Sequence, residues 1–252
     1  MPTEPLLEAG GLTRRFGGLV AVDALALDVT AGEVHGVIGP NGAGKTTLIA
    51  LLAGALKPDA GRIRLDGADI TALPDHARAR RGLARSFQVT SIFPAFTALD
   101  NAALAVQAQA GHSFRCWRPA RRDPRLRDPA REALARVGLA ARADVPAGAL
   151  AHGEQRQLEI AMALAARPRV LLLDEPMAGL GAEESAAMTA LIAGLKGGPG
   201  ILLVEHDMDA VFALADRITV LVNGRVLAAG PPAAVRADPD VRAAYLGEEA
   251  PA

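Results

Sequence analysis

Residues 39–46 read Gly39-Pro40-Asn41-Gly42-Ala43-Gly44-Lys45-Thr46. An apolar run typical of a strand, Val34 to Ile38, precedes them, and a run typical of a helix, Thr47 to Leu52, follows. This spacing between a strand and a helix is typical of a phosphate-binding loop. Its glycines let the backbone fold around an anion and direct N–H groups at it, and the positive end of the next helix adds attraction. The motif therefore predicts a nucleoside triphosphate site.

The side chains that close this motif have distinct predicted roles. Lys45 would reach the β- and γ-phosphates, the Thr46 hydroxyl would bind Mg²⁺, and Thr47 would hydrogen-bond an α-phosphate oxygen. The alternative is a glycine-rich turn without a ligand. The chain otherwise uses arginine for its basic positions and has lysine only at 45, 57 and 196. A lysine at this position is therefore not a consequence of composition.

A second apolar run, Val170 to Leu173, ends in Asp174-Glu175-Pro176. A short continuous apolar run is typical of a strand buried on both faces of a parallel sheet. Ligands of such sheets bind at the carboxyl ends of the strands, where Asp174 can hold Mg²⁺ and Glu175 can deprotonate an attacking water. Two acids after a strand can also be a solvated loop or a helix cap, but the presence of the phosphate-binding loop favours the metal-binding and catalytic roles.

Between these motifs the chain reads Leu150-Ala151-His152-Gly153-Glu154-Gln155, followed by apolar residues at helical spacing. This segment resembles the signature motif of ABC ATPases. The resemblance implies that residues Ala151, His152, Gly153 and Glu154 bind the ATP of a second subunit, in a head-to-tail dimer with two nucleotides between the subunits. Ala151 stands where a serine is usual and His152 where a glycine is usual. Because backbone amides around Gly153 and the helix dipole remain, we expect γ-phosphate recognition to be weakened at most.

Further residues fit the pattern of ABC ATPases by their order along the chain. Gln88 resembles the Q-loop glutamine that contacts Mg²⁺ or the attacking water, His206 resembles the switch histidine of the γ-phosphate, and Phe16 resembles the aromatic residue that stacks on adenine. Each of the three taken alone is more simply a structural residue. In ABC ATPases the segment after the two acids is the D-loop, and Gly181 stands where this loop usually has an aspartate. The contact that the aspartate carboxylate normally makes across the dimer is therefore not implied for this chain. Hydrolysis should survive, since Glu175 is present.

The resemblance implies an α/β fold: a P-loop NTPase with a RecA-like core, an antiparallel β subdomain and an inserted α-helical subdomain. We expect residues 5–87 and 158–228 to form the ATP-binding core with the antiparallel β subdomain. Residues 88–157 would form the helical subdomain with the signature motif, and residues 229–252 a C-terminal extension. A chain of 252 residues is long enough for this arrangement.

Composition bounds the function and the location of the protein. The formal net charge of −1 argues against a general polyanion binder, and Cys116 is the only cysteine, which excludes an intrachain disulfide. We expect no contact with nucleic acid. No run of 18 apolar residues indicates a membrane span, and the N-terminus shows no secretory signal. We therefore expect a peripheral protein on the cytoplasmic face of the inner or plasma membrane.

Several segments are similar to the ATPase subunits of branched-chain amino-acid importers: Phe16 to Val22, Leu203 to Met208, Gly230 to Pro232, Asp238 to Val241 and Tyr245 to Gly247. The arginines between Arg115 and Arg127 are similar to those of the longer of two paired ATPases, although they can also be a solvated loop or a contact with anionic lipid. This resemblance implies three kinds of partner: transmembrane permease subunits, a second ATPase subunit that is a copy or a paralogue, and, indirectly, a periplasmic or extracellular solute-binding protein.

The residues Ile92-Phe93-Pro94-Ala95-Phe96 are a candidate docking surface for the membrane subunits, with internal packing as an equal alternative. ATPases for urea, amides or lipopolysaccharide look similar to the branched-chain type, so they stay open as alternatives. A regulatory nucleotide switch without turnover also stays open. An ABC ATPase acting on DNA or ribosomes usually carries a coiled-coil insertion or a second cassette, and neither is visible here.

Overall fold

The computed structural model describes residues 4–86, 92–111 and 120–246. Gln88, Cys116 and the arginines at 115 and 118 lie outside these described residues, so their predicted roles stay predictions. The described strands are β1 (Leu7–Phe16), β2 (Leu19–Val29), β3 (Val34–Ile38), β4 (Ala60–Leu65), β5 (Ala68–Asp69), β6 (Leu83–Arg85), β7 (Val170–Asp174), β8 (Gly200–Val204), β9 (Arg217–Val222) and β10 (Arg225–Gly230). The helices are α1 (Lys45–Ala53), α2 (Asp75–Arg80), α3 (Ala98–Ala110), α4 (Pro124–Arg136), α5 (His152–Ala165), α6 (Ala182–Ala193), α7 (Met208–Leu214), α8 (Pro232–Ala237) and α9 (Pro239–Leu246).

The strands form two sheets. One is antiparallel, with the order β2-β1-β4-β5, and the other has the order β10-β9-β3-β8-β7-β6. In the second sheet β9, β3, β8, β7 and β6 run parallel, and β10 pairs antiparallel with β9 at the edge. The two apolar runs predicted as strands are β3 and β7, and the run after the glycine-rich loop is α1. The α/β class with an antiparallel β part is confirmed.

Alternate residues of β7 and β8 face two different hydrophobic cores, because successive side chains of a strand point to opposite faces of the sheet. Leu171 and Leu203 pack with the helical part, where α3, α4 and α5 contribute residues such as Leu134. Leu172 and Leu202 pack with α1 and the antiparallel sheet. Burial on both faces explains why these strands are continuous apolar runs.

The helical part consists of α3, α4 and α5, which pack against one another. α5 runs without a break from His152 to Ala165, so the expected domain boundary between residues 157 and 158 lies inside this helix. Two arginines of the basic run, Arg121 and Arg127, contact Asp100 at 3.1 and 2.9 Å. These two guanidinium groups are therefore paired within the protein.

Arg78 is a buried cation that ties α2 to the end of α1. Its side chain is only 1% exposed, and it donates to the carbonyl oxygens of Leu51 and Leu52 at 2.7 Å and of Leu73 and Thr71 at 2.9 Å. The last carbonyls of a helix have no partner within the helix and carry partial negative charge. Arg78 donates to two of these carbonyls, those of Leu51 and Leu52, in the helix that carries Lys45.

We expect Arg78→Met to lower the free energy of unfolding by about 3 kcal/mol, since several buried carbonyls would lose their donor. Urea unfolding followed by circular dichroism measures this change. Arg80 lies in the same helix and is exposed, so Arg80→Met should change the free energy of unfolding by less than about 0.5 kcal/mol. Equal effects of the two substitutions would contradict the role given to Arg78.

Candidate functional site

Three groups of predicted site residues lie at the carboxyl ends of three neighbouring strands: the glycine-rich loop after β3, Asp174 and Glu175 at the end of β7, and His206 after β8. β8 lies between β3 and β7, and Val204 at its end pairs with Val37 on one side and with Asp174 on the other. The glycine-rich loop, the segment after Asp174 and the segment after Val204 therefore leave the sheet at one edge. Such an edge is where parallel α/β sheets bind ligands.

The glycines of the loop are required by its backbone path. Gly42 and Gly44 have φ angles of 78° and 103°, which side-chain-bearing residues rarely adopt. A Cβ on Gly44 would lie 2.3 Å from the carbonyl oxygen of Ala21, and one on Gly39 would lie 2.3 Å from that of Leu221. The loop is thus packed directly against the backbone of β9 and β2. These contacts and glycine conformations define the path of the loop backbone.

Lys45 begins α1 and is 8% exposed. Its ammonium group donates to the carbonyl oxygens of Gly39 and Pro40, at 2.5 and 3.1 Å. Burial lowers the pKa of Lys45, and the negative charges of Glu175 and Asp174 act in the opposite direction. The cation is therefore held at the loop and faces the two acids predicted to act with it.

A cleft of about 380 Å³ opens beside the loop, within the size range of small-molecule sites. Its described lining residues are Phe16, Leu19, Val20, Ala21, Asn41, Gly42, Ala43, Gly44, Lys45, Thr46, Thr47, Glu175 and Asn223. The Phe16 side chain is 44% exposed, and the Arg14 guanidinium lies 4.9 Å from its ring centroid. An exposed aromatic ring at the mouth of a phosphate-binding cleft suits a flat base.

Asp174 is 1% exposed and lies at the end of β7. One of its oxygens, Oδ2, accepts from Nη2 of Arg85 at 2.9 Å, while Oδ1 is buried without a hydrogen-bond partner among the described residues. Burial raises the pKa of Asp174, and Arg85 opposes that rise. The sequence did not point to Arg85, because only the pairing of β6 with β7 brings it to this acid.

The donor set at this edge fits Mg²⁺. The unpaired oxygen of Asp174 and the Thr46 hydroxyl are hard oxygen donors, and Mg²⁺ is commonly held by few protein oxygens together with phosphates and water. The described residues contain no cluster of three or more His, Cys, Asp or Glu side chains that could hold a metal by itself.

Glu175 lines the cleft, and its backbone conformation is uncommon. Its φ angle is 48°, in the left-handed region that non-glycine residues occupy at a cost. Its N–H donates to the Val204 carbonyl at 2.9 Å, and its own carbonyl accepts from Ala178 at 3.1 Å. Strained backbone of this kind persists where surrounding contacts enforce it and often marks a functional side chain. The turn directs the chain away from β7 directly after Asp174.

His206 follows β8, and its side chain is 63% exposed. Its Nδ1 atom lies 3.7 Å from a carboxylate oxygen of Glu205, which is fully buried. The sequence did not indicate Glu205 as a site residue, because a single acid beside a histidine carries no specific pattern. The exposed imidazole stands at the same sheet edge as Glu175.

Residues Ala151 to Glu154 lie at the start of α5, and none of them is among the described residues that line the cleft. The Glu154 carboxylate accepts from the Ala151 N–H at 3.0 Å and from Arg142 at 2.9 Å. The Gly153 N–H donates to Glu184 of α6 at 3.2 Å. The amide of Gly153, which we expected to serve a phosphate, is thus bonded to a carboxylate of the same chain.

Comparison with known proteins gives concordant matches. A family model described as "ABC transporter" matches residues 22–178, and one described as "Branched-chain amino acid ATP-binding cassette transporter" matches residues 225–251. The chain is 44% identical to the high-affinity branched-chain amino acid transport ATP-binding protein BraF of Pseudomonas aeruginosa, over 98% of this chain and 99% of BraF. It is 41% identical to LivG, the protein of the same description from Escherichia coli K12, with the same coverage.

Other similar proteins extend the comparison. The chain is 39% identical to the lipopolysaccharide export system ATP-binding protein LptB of Acidithiobacillus ferridurans, over 97% of this chain and 98% of LptB. Among solved structures, the ADP conformation of MJ1267, an ATP-binding cassette of an ABC transporter, superposes with a TM-score of 0.85 at 29% identity. That superposition covers 97% of this chain and all of MJ1267.

Proposed function

The chain belongs to the ABC transporter family, as an ATP-binding subunit of the branched-chain amino-acid type, and from this premise we propose that it binds and hydrolyses ATP to energise uptake of branched-chain amino acids through separate membrane subunits. One observation carries the chemistry: Lys45, Asp174 and Glu175 lie at the carboxyl ends of neighbouring strands, beside a glycine-rich loop that suits a phosphate. A cation for the phosphates, an oxygen donor for a metal and a base for water are the parts that this hydrolysis needs.

In this mechanism Lys45 and the loop amides bind the phosphates, and Phe16 stacks on the base. Asp174 and Thr46, with Gln88, would hold Mg²⁺, which when bound would neutralise phosphate charge. Glu175 takes the proton of the attacking water, and His206 hydrogen-bonds the γ-phosphate. After hydrolysis and product release, the subunit can bind ATP again.

The substrate class rests on the relatives and on the C-terminal match. Both BraF and LivG are named for high-affinity branched-chain amino acid transport, and the second family model covers residues 225–251 of this chain. The 39% identity to LptB supports lipopolysaccharide export as a second candidate. The higher identity to BraF and the C-terminal match favour amino-acid uptake.

We expect the active form to be a dimer in which the start of α5 of one subunit meets the ATP of the other. The partner ATPase is a second copy or a paralogue. Before a phosphate can bind the Gly153 N–H, it must displace the Glu184 carboxylate. Among the residues that the structure describes, no helix has the length and apolar character of a membrane span. Because BraF and LivG are named as transport ATP-binding proteins, we propose that this protein acts as a peripheral subunit on permeases at the cytoplasmic face of the membrane.

Phe93 and Phe96 form an exposed aromatic surface that suits docking to the permease. Their side chains are 54% and 38% exposed, and the ring centroids are 5.5 Å apart. Buried Asn101 holds this segment, since its amide accepts from the Phe93 N–H and donates to the carbonyls of Phe93 and Thr97. Ile92 instead packs against the core of the helical part, so internal packing is the better description of that residue.

We expect Phe93→Asp to abolish copurification with the membrane subunits and to leave ATP affinity within about twofold, because an exposed ring contributes little to the fold. Pull-down from detergent-solubilised membranes measures the assembly. Leu227→Asp is the matched control, as Leu227 is 40% exposed on β10. Normal assembly of the Phe93 variant, or equal loss in the control, would remove this surface from the proposal.

The substrate is tested by ATP hydrolysis in the complex purified with its native membrane partners in lipid. Hydrolysis is measured with and without leucine and the matching solute-binding protein. Strong stimulation that needs both additions is expected. Hydrolysis that responds to neither would reject amino-acid uptake and direct the search to urea, amides or lipopolysaccharide, while no hydrolysis at all would support a switch without turnover.

A further inference from the structure

Glu205 is a buried acid that the mechanism above does not use. It follows the last residue of β8, between the strands that carry the loop and Asp174, and it is fully buried. One carboxylate oxygen accepts from the Met177 N–H at 2.8 Å, and the other accepts from the His206 N–H at 3.2 Å. Each oxygen thus binds the backbone of a different segment of the site, one after β7 and the other after β8.

The first of these bonds closes the turn that presents Glu175. Met177 is two residues beyond Glu175, whose φ of 48° needs support from its surroundings. Two backbone bonds, from Glu175 to Val204 and from Ala178 to Glu175, provide part of that support. The Glu205 carboxylate anchors the same turn to β8 by a side chain. The catalytic carboxylate and β8 are therefore connected through Glu205.

Burying the Glu205 carboxylate has an electrostatic cost, and this cost argues for a specific role of Glu205. Burial is the largest cause that raises the pKa of Glu205, and the charge of Glu175 raises it further, while the two N–H groups oppose the rise. A neutral glutamine would avoid the cost. However, its amide has one oxygen only, so its NH₂ group would face one of the two N–H donors. The carboxylate instead offers one oxygen to each of the two segments.

We propose that Glu205 is a positioning residue for the hydrolysis reaction, which holds the Glu175 turn through Met177 and the start of the His206 segment with its two oxygens. It does not touch the reacting atoms. The inference rests on the proposed role of Glu175 as the base. Loss of one bond should therefore misplace Glu175 and slow the chemical step, while nucleotide binding at the loop stays intact.

Glu205→Gln tests this role by turnover, calorimetric ATP binding and thermal unfolding. We expect kcat to fall by about 10- to 100-fold, because small misplacements of reacting groups have effects of this size. The dissociation constant of ATP should stay within about twofold. Glu33→Gln is the matched control: Glu33 is a largely buried acid bound to Arg217 at the opposite end of the sheet. It should lower stability without lowering kcat.

Single-turnover hydrolysis in a double-mutant cycle separates positioning from a merely structural role. If Glu205 acts through Glu175, Glu205→Gln should slow the Glu175→Gln variant by less than about threefold. Equal losses in both backgrounds, or a kcat within twofold of the native value, would overturn the inference. If Glu205→Gln does not fold, Glu205→Asp, which keeps both oxygens on a shorter side chain, goes through the same cycle. Native turnover of Glu175→Gln alone would reject the proposed base instead.

Discussion

Glu175→Gln is expected to lower the rate of ATP hydrolysis by about 10²–10⁴, the usual contribution of a general base. The amide keeps the shape of the side chain that lines the cleft but cannot take a proton from water. Because Lys45 and the loop are unchanged, the variant should bind ATP with native affinity. It should also accumulate as an ATP-bound dimer, measured by light scattering after size-exclusion chromatography.

The control for this variant is Glu183→Gln. Glu183 is exposed in the first turn of α6, so the substitution removes an acid from the same region and should leave hydrolysis unchanged. A Glu175 variant that hydrolyses ATP at a rate close to the native one would show that another group activates the water. A loss of ATP binding along with hydrolysis would show that Glu175 is needed for nucleotide binding at the glycine-rich loop.

Lys45→Met is expected to weaken ATP binding itself, the step that precedes hydrolysis. Methionine keeps the buried stem of the side chain, whereas the ammonium group and its charge-assisted bonds to phosphate are lost. Such bonds contribute about 1.5–3 kcal/mol each, so ATP affinity should fall by about 10- to 100-fold or more. Isothermal titration calorimetry with ATP and Mg²⁺ measures the change.

Lys57→Met serves as the control, since Lys57 is an exposed lysine of the segment after α1. Its affinity for ATP should stay within about twofold of native. Equal ATP affinity of the Lys45 and Glu175 variants would contradict the division of roles between cation and base. The two predictions are thus tested against each other by one binding measurement.

The parts of the fold that sequence predicts best are those where local pattern and burial agree. Val170 to Leu173 is apolar throughout because both faces of β7 are covered, so the strand and the acids after it could be placed from sequence. The glycine-rich loop is equally local, since Gly42 and Gly44 need conformations that few other residues adopt. Gln88 lies outside the described residues and stays a prediction.

Contacts made by the tertiary structure could not be predicted. Arg85 reaches Asp174 only because β6 pairs with β7, and Glu184 reaches Gly153 only because α6 packs near the start of α5. Neither contact has a sequence spacing that marks it. In the aromatic segment, sequence could not distinguish Ile92, which packs inward, from Phe93, which is exposed. Such choices depend on which neighbours cover a side chain.

The most direct test is uptake of radiolabelled leucine into proteoliposomes that hold the complete complex, with the solute-binding protein outside and this subunit exposed to enclosed ATP. The account predicts uptake that requires ATP and is lost with Glu175→Gln, while assembly of the complex is unchanged. Uptake that persists with Glu175→Gln, or ATP hydrolysis by the native complex without any leucine uptake, would contradict it.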